Sequence, residues 1–400
     1  MKNNIRKIRQ GHLEISDLQK KYIMSTLDNN RLSSGPYMKQ FETKFAHMHE
    51  CKFGVMLNSG TSALHVSLAV LKEFGRWNDN DEVLVPASTF IATSNVVIHN
   101  NLTPVFVDID VNTYNIDTKQ IEKHITNKTR AIIPVHMYGH PSDMDQIMDI
   151  SKHRKLNVIE DSCECMFAHL NNKSVGSFGD MGCFSTYVAH ILTTGVGGLI
   201  TTNNEEFATA CRVVLAHGRD SDYLNIDDNA FEDDLEKLQN IVKKRFSFVR
   251  LGHSFRSTEL EAALGLGQLE IADSIVSTRR KNAEILTMKL NTFSEYIQLP
   301  QIAPNREHSF MMYPTVCKKH IVRDNLVVYL EKLGIETRPM MPLLSQPIYT
   351  KIFGPNKQDD FPNAKSITQN GFYLPCHHGL SEEDINFMVE NIGIFIKDSI

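Results

Sequence analysis

The chain has 400 residues, of which 42% are hydrophobic and 22% are charged, and its formal net charge is -5. This length predicts roughly two to three domains with a large core, and the charge excludes the basic footprint that nucleic-acid binding requires. Residues 1–19 lack the apolar run of a secretory signal. Residues 181–204 carry no Asp, Glu, Lys or Arg, but their Gly, Thr, Ser and Asn exclude a membrane span and favour a buried site wall.

Short apolar runs alternate with helix-like stretches from residue 53 to about residue 202. In chain order the runs are FGVML (53–57), EVLVPA (82–87), TPVFVDID (103–110), AIIPVHMYG (131–139) and NVIED (157–161), and a Gly-rich run through GGLITTNN follows. This alternation predicts an α/β fold with a mainly parallel, doubly wound sheet. The sites of such sheets lie at the carboxyl ends of the strands, which is where the motifs described below fall.

The rest of the chain departs from this pattern. Residues 219–245 are rich in charge, which favours a solvated surface excursion. A long helix-like stretch follows at 257–286, and the residues after it predict a smaller α+β domain. We therefore expect a large domain over residues 1–285 and a small C-terminal domain over residues 286–400.

The seven cysteines are scattered and odd in number, which predicts reduced thiols and a cytoplasmic protein. Only Cys163 and Cys165 are closely spaced. No second pair completes a zinc or iron–sulfur pattern, so we expect no metal site.

Small residues stand between the first strand and the next helix, in NSGTSALH (58–65). Backbone N–H groups there, together with the hydroxyls of Thr61 and Ser62, can hold a phosphate at the helix N-terminus. The same pattern is typical of an ordinary turn capped by serine or threonine. The motif alone does not separate a phosphate site from such a turn.

Two further strand ends carry candidate side chains. In PASTF (86–90), Phe90 can stack on a flat cofactor, although a core aromatic is the commoner arrangement. In VIEDSCE (158–164), strand alternation sends Glu160 and Asp161 to opposite sides, so one of them can reach a site. A carboxylate against a pyridine nitrogen keeps that nitrogen protonated and makes the ring an electron sink. A helix N-cap aspartate is the alternative interpretation.

Taken together, these segments resemble those of the sugar aminotransferases, which are fold-type-I PLP enzymes. The matching segments, in the family's order, are NSGTSALH, PASTFIATSN, PVFVDID, IIPVHMYGHPSDMD, VIEDSCE, GSFGDMGCFS, TTGVGGLITTN and ELEAALGLGQLE. The resemblance begins near residue 33, runs past residue 280 and continues weakly to residue 375. It implies a fold-type-I aminotransferase-like architecture over nearly the whole chain.

Carried over position by position, the resemblance implies a role for each motif residue. Asp161 becomes the partner of the pyridine nitrogen, and Phe90 becomes the ring-stacking aromatic. Thr61, Ser62 and Ser185 become phosphate ligands.

The chain departs from the family at the residue that normally binds the cofactor covalently. The family's lysine lies five residues after the phosphate-binding serine, and here that position is His190. No lysine occurs between Lys173 and Lys237, so none can take its place easily.

Two more departures lie around the phosphate cup. The family's GYN-aromatic-R block, which donates an asparagine to the neighbouring subunit's phosphate, reads GHSFR (252–256) here, so Ser254 becomes a shorter donor. The usual glutamate before the glycine pair is Val196. The resemblance still implies a homodimer with shared active sites.

A histidine at position 190 changes the expected reaction. Histidine cannot form lysine's stable bond to the cofactor, but with an unperturbed pKa near ~6.5 it transfers protons. The resemblance is to the nucleotide-sugar 3-dehydratases of 4-keto-6-deoxyhexoses, which share this substitution and an ED-x-C-E segment that places Glu164 near the cofactor's phenolic oxygen. It implies non-covalent PMP, His190 as the base, loss of a sugar hydroxyl, and release of a deoxy keto sugar and ammonia. An amino donor such as glutamate would restore PMP.

Three hypotheses stay open from the sequence. The first is this PMP-dependent 3-dehydratase, which ammonia release from a keto sugar would single out. The second is a nucleotide-sugar aminotransferase with a replaced lysine, which His190→Lys would reactivate. The third is a non-catalytic sugar- or cofactor-binding protein on the same scaffold, which would bind cofactor without turnover.

Overall fold

A computed structural model of the chain describes residues 6–220, 234–244 and 246–400. The surface excursion predicted at 219–245 falls largely on residues outside these ranges. Within them, no helix has both the length and the apolar composition needed to cross a bilayer.

Fourteen strands and fourteen α-helices are described. The strands are β1 (Phe53–Leu57), β2 (Glu82–Pro86), β3 (Thr103–Val107), β4 (Thr129–Ile132), β5 (Asn157–Asp161), β6 (His169–Leu170), β7 (Lys173–Ser174), β8 (Met181–Ser185), β9 (Gly198–Thr202), β10 (Ile297–Gln298), β11 (Arg306–Glu307), β12 (Tyr313–Cys317), β13 (Arg338–Pro339) and β14 (Gly371–Leu374). The helices are α1 (Asp17–Asp28), α2 (Pro36–Met48), α3 (Gly60–Gly75), α4 (Ile91–His99), α5 (Thr118–Ile121), α6 (Met144–Arg154), α7 (Glu205–Leu215), α8 (Leu235–Lys244), α9 (Glu259–Leu269), α10 (Ala272–Leu290), α11 (Arg323–Lys332), α12 (Pro347–Phe353), α13 (Pro362–Asn370) and α14 (Glu382–Asp398).

A seven-stranded sheet in the order β1-β9-β8-β5-β4-β2-β3 forms the centre of the molecule. Every neighbouring pair is parallel except the two that involve β9, which runs antiparallel to β1 and β8. The predicted α/β fold with a mainly parallel sheet is therefore confirmed. Register pairs Gly198 of β9 with both Leu57 and Ser185, so the ends of β1 and β8 meet at one edge of the sheet.

Two predicted strands differ from the observed ones. The run expected at 131–139 is a strand only to Ile132, because Pro134 has no N–H to donate and Tyr138 adopts a positive φ of 59°. The Gly-rich run after residue 161 contains the sheet strands β8 and β9 in addition to the two-residue strands β6 and β7, and Gly182 in β8 and Gly198, Thr201 and Thr202 in β9 weaken the apolar signal.

Apolar side chains form two main cores. One surrounds the central sheet and includes Val55, Leu64 and Ile159. The other joins the second half of α10 to β12, β14 and α14, and includes Ile8 from the N-terminal segment. Because α10 contributes to both cores, it links the two parts of the molecule. The division at residue 285 stays a prediction.

Candidate active site

The predicted phosphate cup lies where β1 passes into α3. Ser59 is the N-cap of α3, and its Oγ accepts a hydrogen bond of 3.0 Å from the Ser62 N–H. The Ser62 hydroxyl is buried and donates to Asn58 Oδ1 at 2.7 Å, whereas Thr61 is exposed at the helix N-terminus. The first N–H groups of a helix bind anions readily. Thr61 is therefore free to meet a phosphate directly, while Ser62 would have to rotate its hydroxyl away from Asn58.

Ser185 lies beside this helix start because Gly60 allows a close approach. A Cβ added at Gly60 would stand 2.8 Å from the Ser185 Cβ and 2.7 Å from the Cys163 Sγ. Any side chain at position 60 would push these two walls apart. The glycine thus brings Thr61, Ser185 and the end of β5 together, as the resemblance implies.

Asp161 is the buried carboxylate of this edge. Its Oδ2 accepts a hydrogen bond of 2.8 Å from the Thr93 hydroxyl, and its Oδ1 accepts one of 3.2 Å from the Cys163 N–H. Burial raises the pKa of Asp161, although the hydrogen bonds from Thr93 and Cys163 oppose this. In the described part of the chain, the charged or titratable groups that act on this carboxylate include His136 but no lysine or arginine. A buried carboxylate in this state favours a cationic N–H partner, and a protonated pyridine ring supplies one.

Glu160 points the other way and holds the backbone together. Its carboxylate accepts hydrogen bonds from the N–H groups of Gly176, Phe178 and Gly179 at 2.7–2.8 Å, and from His136 Nε2 at 3.1 Å. These contacts leave Glu160 a structural role. The predicted separation of the two carboxylates to opposite sides is confirmed.

Glu164 lies near Asp161 and is also buried. Its Oε2 accepts a hydrogen bond of 2.8 Å from the Tyr138 N–H, and burial raises the pKa of Glu164 to about 7. At neutral pH the carboxyl group therefore exchanges between the acid, which donates a hydrogen bond, and the carboxylate, which only accepts.

His190 lies on a loop whose two ends are fixed by β8 and β9. The Thr194 N–H donates to the Thr186 carbonyl at 2.8 Å, and the two threonine hydroxyls lie 2.6 Å apart. Within the loop, the His190 N–H donates to the Tyr187 carbonyl at 2.8 Å. The loop is therefore tied to the sheet, and it holds the histidine that the resemblance places at the position of the family's lysine.

The imidazole of His190 is partly buried and contacts no acid in the described ranges. Its Nδ1 lies 3.3 Å from the Met311 Sδ. Burial is the main reason why the pKa of His190 is lowered to about 4. A hydrogen bond with the Cys163 backbone raises this pKa, and the charge of Arg279 lowers it further. The ring is therefore neutral near pH 7 and can accept a proton.

The remaining predicted residues lie at the open side of the site. Phe90 is the N-cap of α4 and 57% exposed, so its face is available to a planar ring. Val196, also about half exposed, replaces the family's glutamate. Ser254 is exposed and accepts a hydrogen bond from Arg256 at 3.1 Å. The neighbouring Phe255 carbonyl accepts a hydrogen bond of 2.9 Å from the Asn58 N–H, so residues 252–256 lie beside the start of α3. The resemblance assigns Ser254 to the phosphate of a neighbouring subunit.

Several residues of the site were not singled out from the sequence. The hydroxyl oxygens of Thr89 and Thr93 lie 2.9 Å apart, and the Thr93 hydroxyl donates a hydrogen bond to Asp161. Thr93 follows Phe90 by three residues at the start of the same helix, and this spacing is a weak indication that Thr93 also faces the site. Met311 and Arg279 come from distant parts of the chain, and no local pattern identifies them.

Comparisons with known proteins agree with this geometry. Residues 14–393 match the sequence model of the DegT/DnrJ/EryC1/StrS aminotransferase family. The chain is 33% identical over 382 residues to a GDP-4-keto-6-deoxy-D-mannose 3-dehydratase of Escherichia coli O55:H7, covering 94% of this chain and 96% of the relative. It is also 33% identical over 382 residues to a GDP-perosamine synthase of Escherichia coli O157:H7, covering 95% and 96% of the two chains.

The fold is likewise close to a solved structure. The E. coli GDP-4-keto-6-deoxy-D-mannose-3-dehydratase with bound hydrated PLP superposes with a TM-score of 0.86 at 31% identity, covering 97% of this chain and 100% of the other. The fold-type-I architecture expected from the sequence is thus confirmed, and the cofactor bound in this neighbour is PLP.

Proposed function

The chain belongs to the DegT/DnrJ/EryC1/StrS aminotransferase family, and we propose that it is a PMP-dependent 3-dehydratase of a nucleotide-linked 4-keto-6-deoxy sugar. The observation that carries the proposal is His190, a neutral imidazole at the position that the resemblance assigns to the family's lysine, on a loop that is tied to the sheet. The reduced thiols and the nucleotide-sugar substrate suit the cytoplasm. In this proposal the net reaction converts the keto sugar and PMP into a 3-deoxy keto sugar, PLP and ammonia.

The residues present fit PMP without a covalent bond. Thr61, Ser62 and Ser185 would hold the phosphate, Phe90 would cover the ring, and Asp161 would bind the pyridine nitrogen. When bound, PMP supplies the amine that condenses with the sugar ketone and a ring that accepts electrons.

Proton transfer is the task left to His190. As a neutral base it would take the proton from the cofactor's methylene carbon, and as the resulting acid it would give a proton to the leaving hydroxyl, which departs as water. A lysine at this position would instead compete for the cofactor aldehyde. The fixed loop around His190 supports this role because a tethered base is already in place before substrate arrives.

An aminotransferase is the second candidate, because a perosamine synthase is as similar in sequence as a 3-dehydratase. Overall identity therefore does not separate the two activities. Residue 190 does, since amino transfer in this family relies on the lysine and none occurs between Lys173 and Lys237.

A spectrum of the purified protein tests the proposed cofactor state. We expect absorption by PMP or free PLP, and no peptide that carries a cofactor adduct on lysine after borohydride reduction. A lysine adduct recovered in stoichiometric yield would contradict non-covalent binding and favour the aminotransferase.

We also expect a homodimer in which residues 252–256 of each subunit complete the partner's phosphate site. Ser254 is exposed in the single chain, and Phe248, Val249 and Leu251 beside it expose apolar surface. Obligate interfaces of this type bury on the order of 2,000–5,000 Å². Sedimentation at micromolar concentration should give a dimer. A stable monomer that still binds PMP would contradict a shared site. The Ser254→Ala variant should bind PMP more weakly but remain a dimer.

Glu164→Gln is expected to remove a pH dependence near neutrality. Because the pKa of Glu164 is raised to about 7, the group loses its proton, and its ability to donate to the cofactor's phenolic oxygen, as the pH rises through about 7. We therefore expect kcat of the parent to fall above that pH, whereas the glutamine variant, which always donates, should show no inflection there. Profiles between pH 6 and 8.5 measure this, and an unchanged inflection in the variant would assign it to another group.

A further inference from the structure

Arg279 is a buried cation that the reaction proposed above does not use. It lies on α10 and is 1% exposed. Its Nη1 donates to the backbone carbonyls of Met311 at 2.9 Å and Phe310 at 3.3 Å, and its Nε has no hydrogen-bond partner within the described residues. Burying a charge without a paired carboxylate is energetically unfavourable. Such a residue calls for an explanation beyond packing.

The guanidinium faces groups that all titrate but carry no negative charge at neutral pH. His190 lies on one side, and His377, His378 and the Cys376 thiol lie near it from the loop between β14 and α14. His12 of the N-terminal segment contacts His377 and His378. Burial lowers the pKa of Arg279 only to about 10, so it stays charged at pH 7. Among the described residues, no carboxylate pairs with His190, His377 or His378, and the carboxylate in the cluster is Glu14, which lies 3.7 Å from His12.

Met311 connects Arg279 to the site. Its carbonyl is held by Arg279, and its Sδ lies 3.3 Å from the His190 Nδ1. A thioether is a weak acceptor that carries no charge. It therefore fixes the imidazole without stabilising the protonated ring, as a carboxylate in that place would.

We propose that Arg279 is a positioning residue for His190, fixing the imidazole through Met311 and adding its buried charge to the burial that already disfavours the protonated ring. This rests on the proposed 3-dehydratase function, in which His190 must arrive without a proton. Once the ring has taken a proton from carbon, repulsion by Arg279 favours passing that proton to the leaving hydroxyl. The C–H and C–O bonds break, an O–H bond forms, and His190 returns to its neutral form.

The test compares variants that separate charge from hydrogen bonding. Arg279→Gln keeps a donor for the Met311 carbonyl but removes the charge, whereas Arg279→Lys keeps both. Arg280→Gln is the matched control, because Arg280 is the next residue of α10 but bonds to the His308 carbonyl and to Glu307 instead. The first readout is the titration of His190 in cofactor-free protein, measured by NMR of 13C-labelled histidine, with His190→Asn identifying the signal. The second readout is the acid limb of the pH profile of kcat/KM, measured as ammonia release from GDP-4-keto-6-deoxymannose with PMP supplied.

We expect Arg279→Gln to raise the midpoint of the His190 titration and of the acid limb by on the order of one pH unit. Arg279→Lys and Arg280→Gln should leave both midpoints within a few tenths of a unit of the parent. Identical midpoints in Arg279→Gln and the parent would overturn the electrostatic part of the proposal. Lower rates in both Arg279 variants with unshifted midpoints would make the residue merely structural.

Met311→Leu tests whether Met311 positions the His190 imidazole. It also provides an independent test if the Arg279→Gln variant does not fold. Leucine conserves the volume and leaves Arg279 in place, so the His190 midpoint should stay low while kcat falls about tenfold or more. Parent-like kcat in this variant would overturn the positioning role. The NMR titration requires no turnover, so it tests the role of Arg279 independently of the proposed function. The proposed function itself fails if the parent protein releases no ammonia.

Discussion

Replacing His190 with asparagine is expected to slow ammonia and deoxy-sugar formation by about a hundred- to ten-thousand-fold, the usual effect of deleting a general base. Asparagine can still form hydrogen bonds on the loop that Thr186 and Thr194 close, but it cannot take a proton from carbon. PMP binding should persist because Thr61 and Asp161 remain. Rates measured with PMP supplied therefore isolate the chemical step from cofactor loading.

His190→Lys is the informative companion variant. The new amine stands at the family's lysine position, so it should capture PLP covalently and give the yellow absorption of that linkage. Deoxygenation should fall sharply, because the amine competes for the aldehyde and can return a proton to the sugar carbon, giving an amino sugar. If His190→Asn instead removes the hydroxyl as fast as the parent, then His190 is a bystander and the proposed mechanism is wrong.

Asp161→Asn is expected to abolish turnover while leaving the fold intact. The Thr93 hydroxyl and the Cys163 N–H can still donate to the amide oxygen, so the local structure has partners. Without the carboxylate, the pyridine nitrogen would lose its proton and the ring would no longer accept electrons. We expect a loss of at least about a thousandfold in kcat, on the scale of removing a major electrostatic contribution.

Circular dichroism and the thermal midpoint provide the structural control for Asp161→Asn. Thr93→Val is the graded variant: it keeps the carboxylate but removes one hydrogen bond to it, and should cost much less than the loss of charge. Turnover of Asp161→Asn within a few-fold of the parent would show that another group protonates the ring.

Much of the fold followed from the sequence because parallel strands leave a strong, repeated pattern. Buried runs such as FGVML are apolar on both sides of the sheet, and each is followed by a helix or turn with a small polar residue. The antiparallel strand β9 was not recognised, since Gly198, Thr201 and Thr202 leave only two apolar residues in the segment 198–202. Nothing in local propensity shows that it would pair between β1 and β8.

The site was predictable where its residues lie within one motif and unpredictable where they meet across the fold. Alternation placed Glu160 and Asp161 on opposite faces, but it did not say which one faced the site. That choice depends on Gly176, Phe178 and Gly179, whose N–H groups enclose Glu160. The sequence also did not predict the hydrogen bond between the Ser62 hydroxyl and Asn58, because packing determines which side-chain rotamers are adopted.

The environment of His190 illustrates the same limit. Its position in the motif follows from counting residues after Ser185. Its neutral state depends on burial and on Arg279. Met311, which contacts its ring, comes from 121 residues further along the chain. Long-range contacts of this kind determine a pKa, and the sequence does not reveal them.

The most direct test of the central claim is the product balance of the unmodified protein with a defined sugar. Purified protein, loaded with PMP and mixed with GDP-4-keto-6-deoxymannose, should release one ammonia for each PMP consumed and form PLP and a sugar that has lost one oxygen atom. Mass spectrometry of the nucleotide sugar and an enzymatic ammonia assay on the same sample measure both. An amino sugar formed in place of the deoxy sugar, with no free ammonia, would contradict the proposed dehydratase.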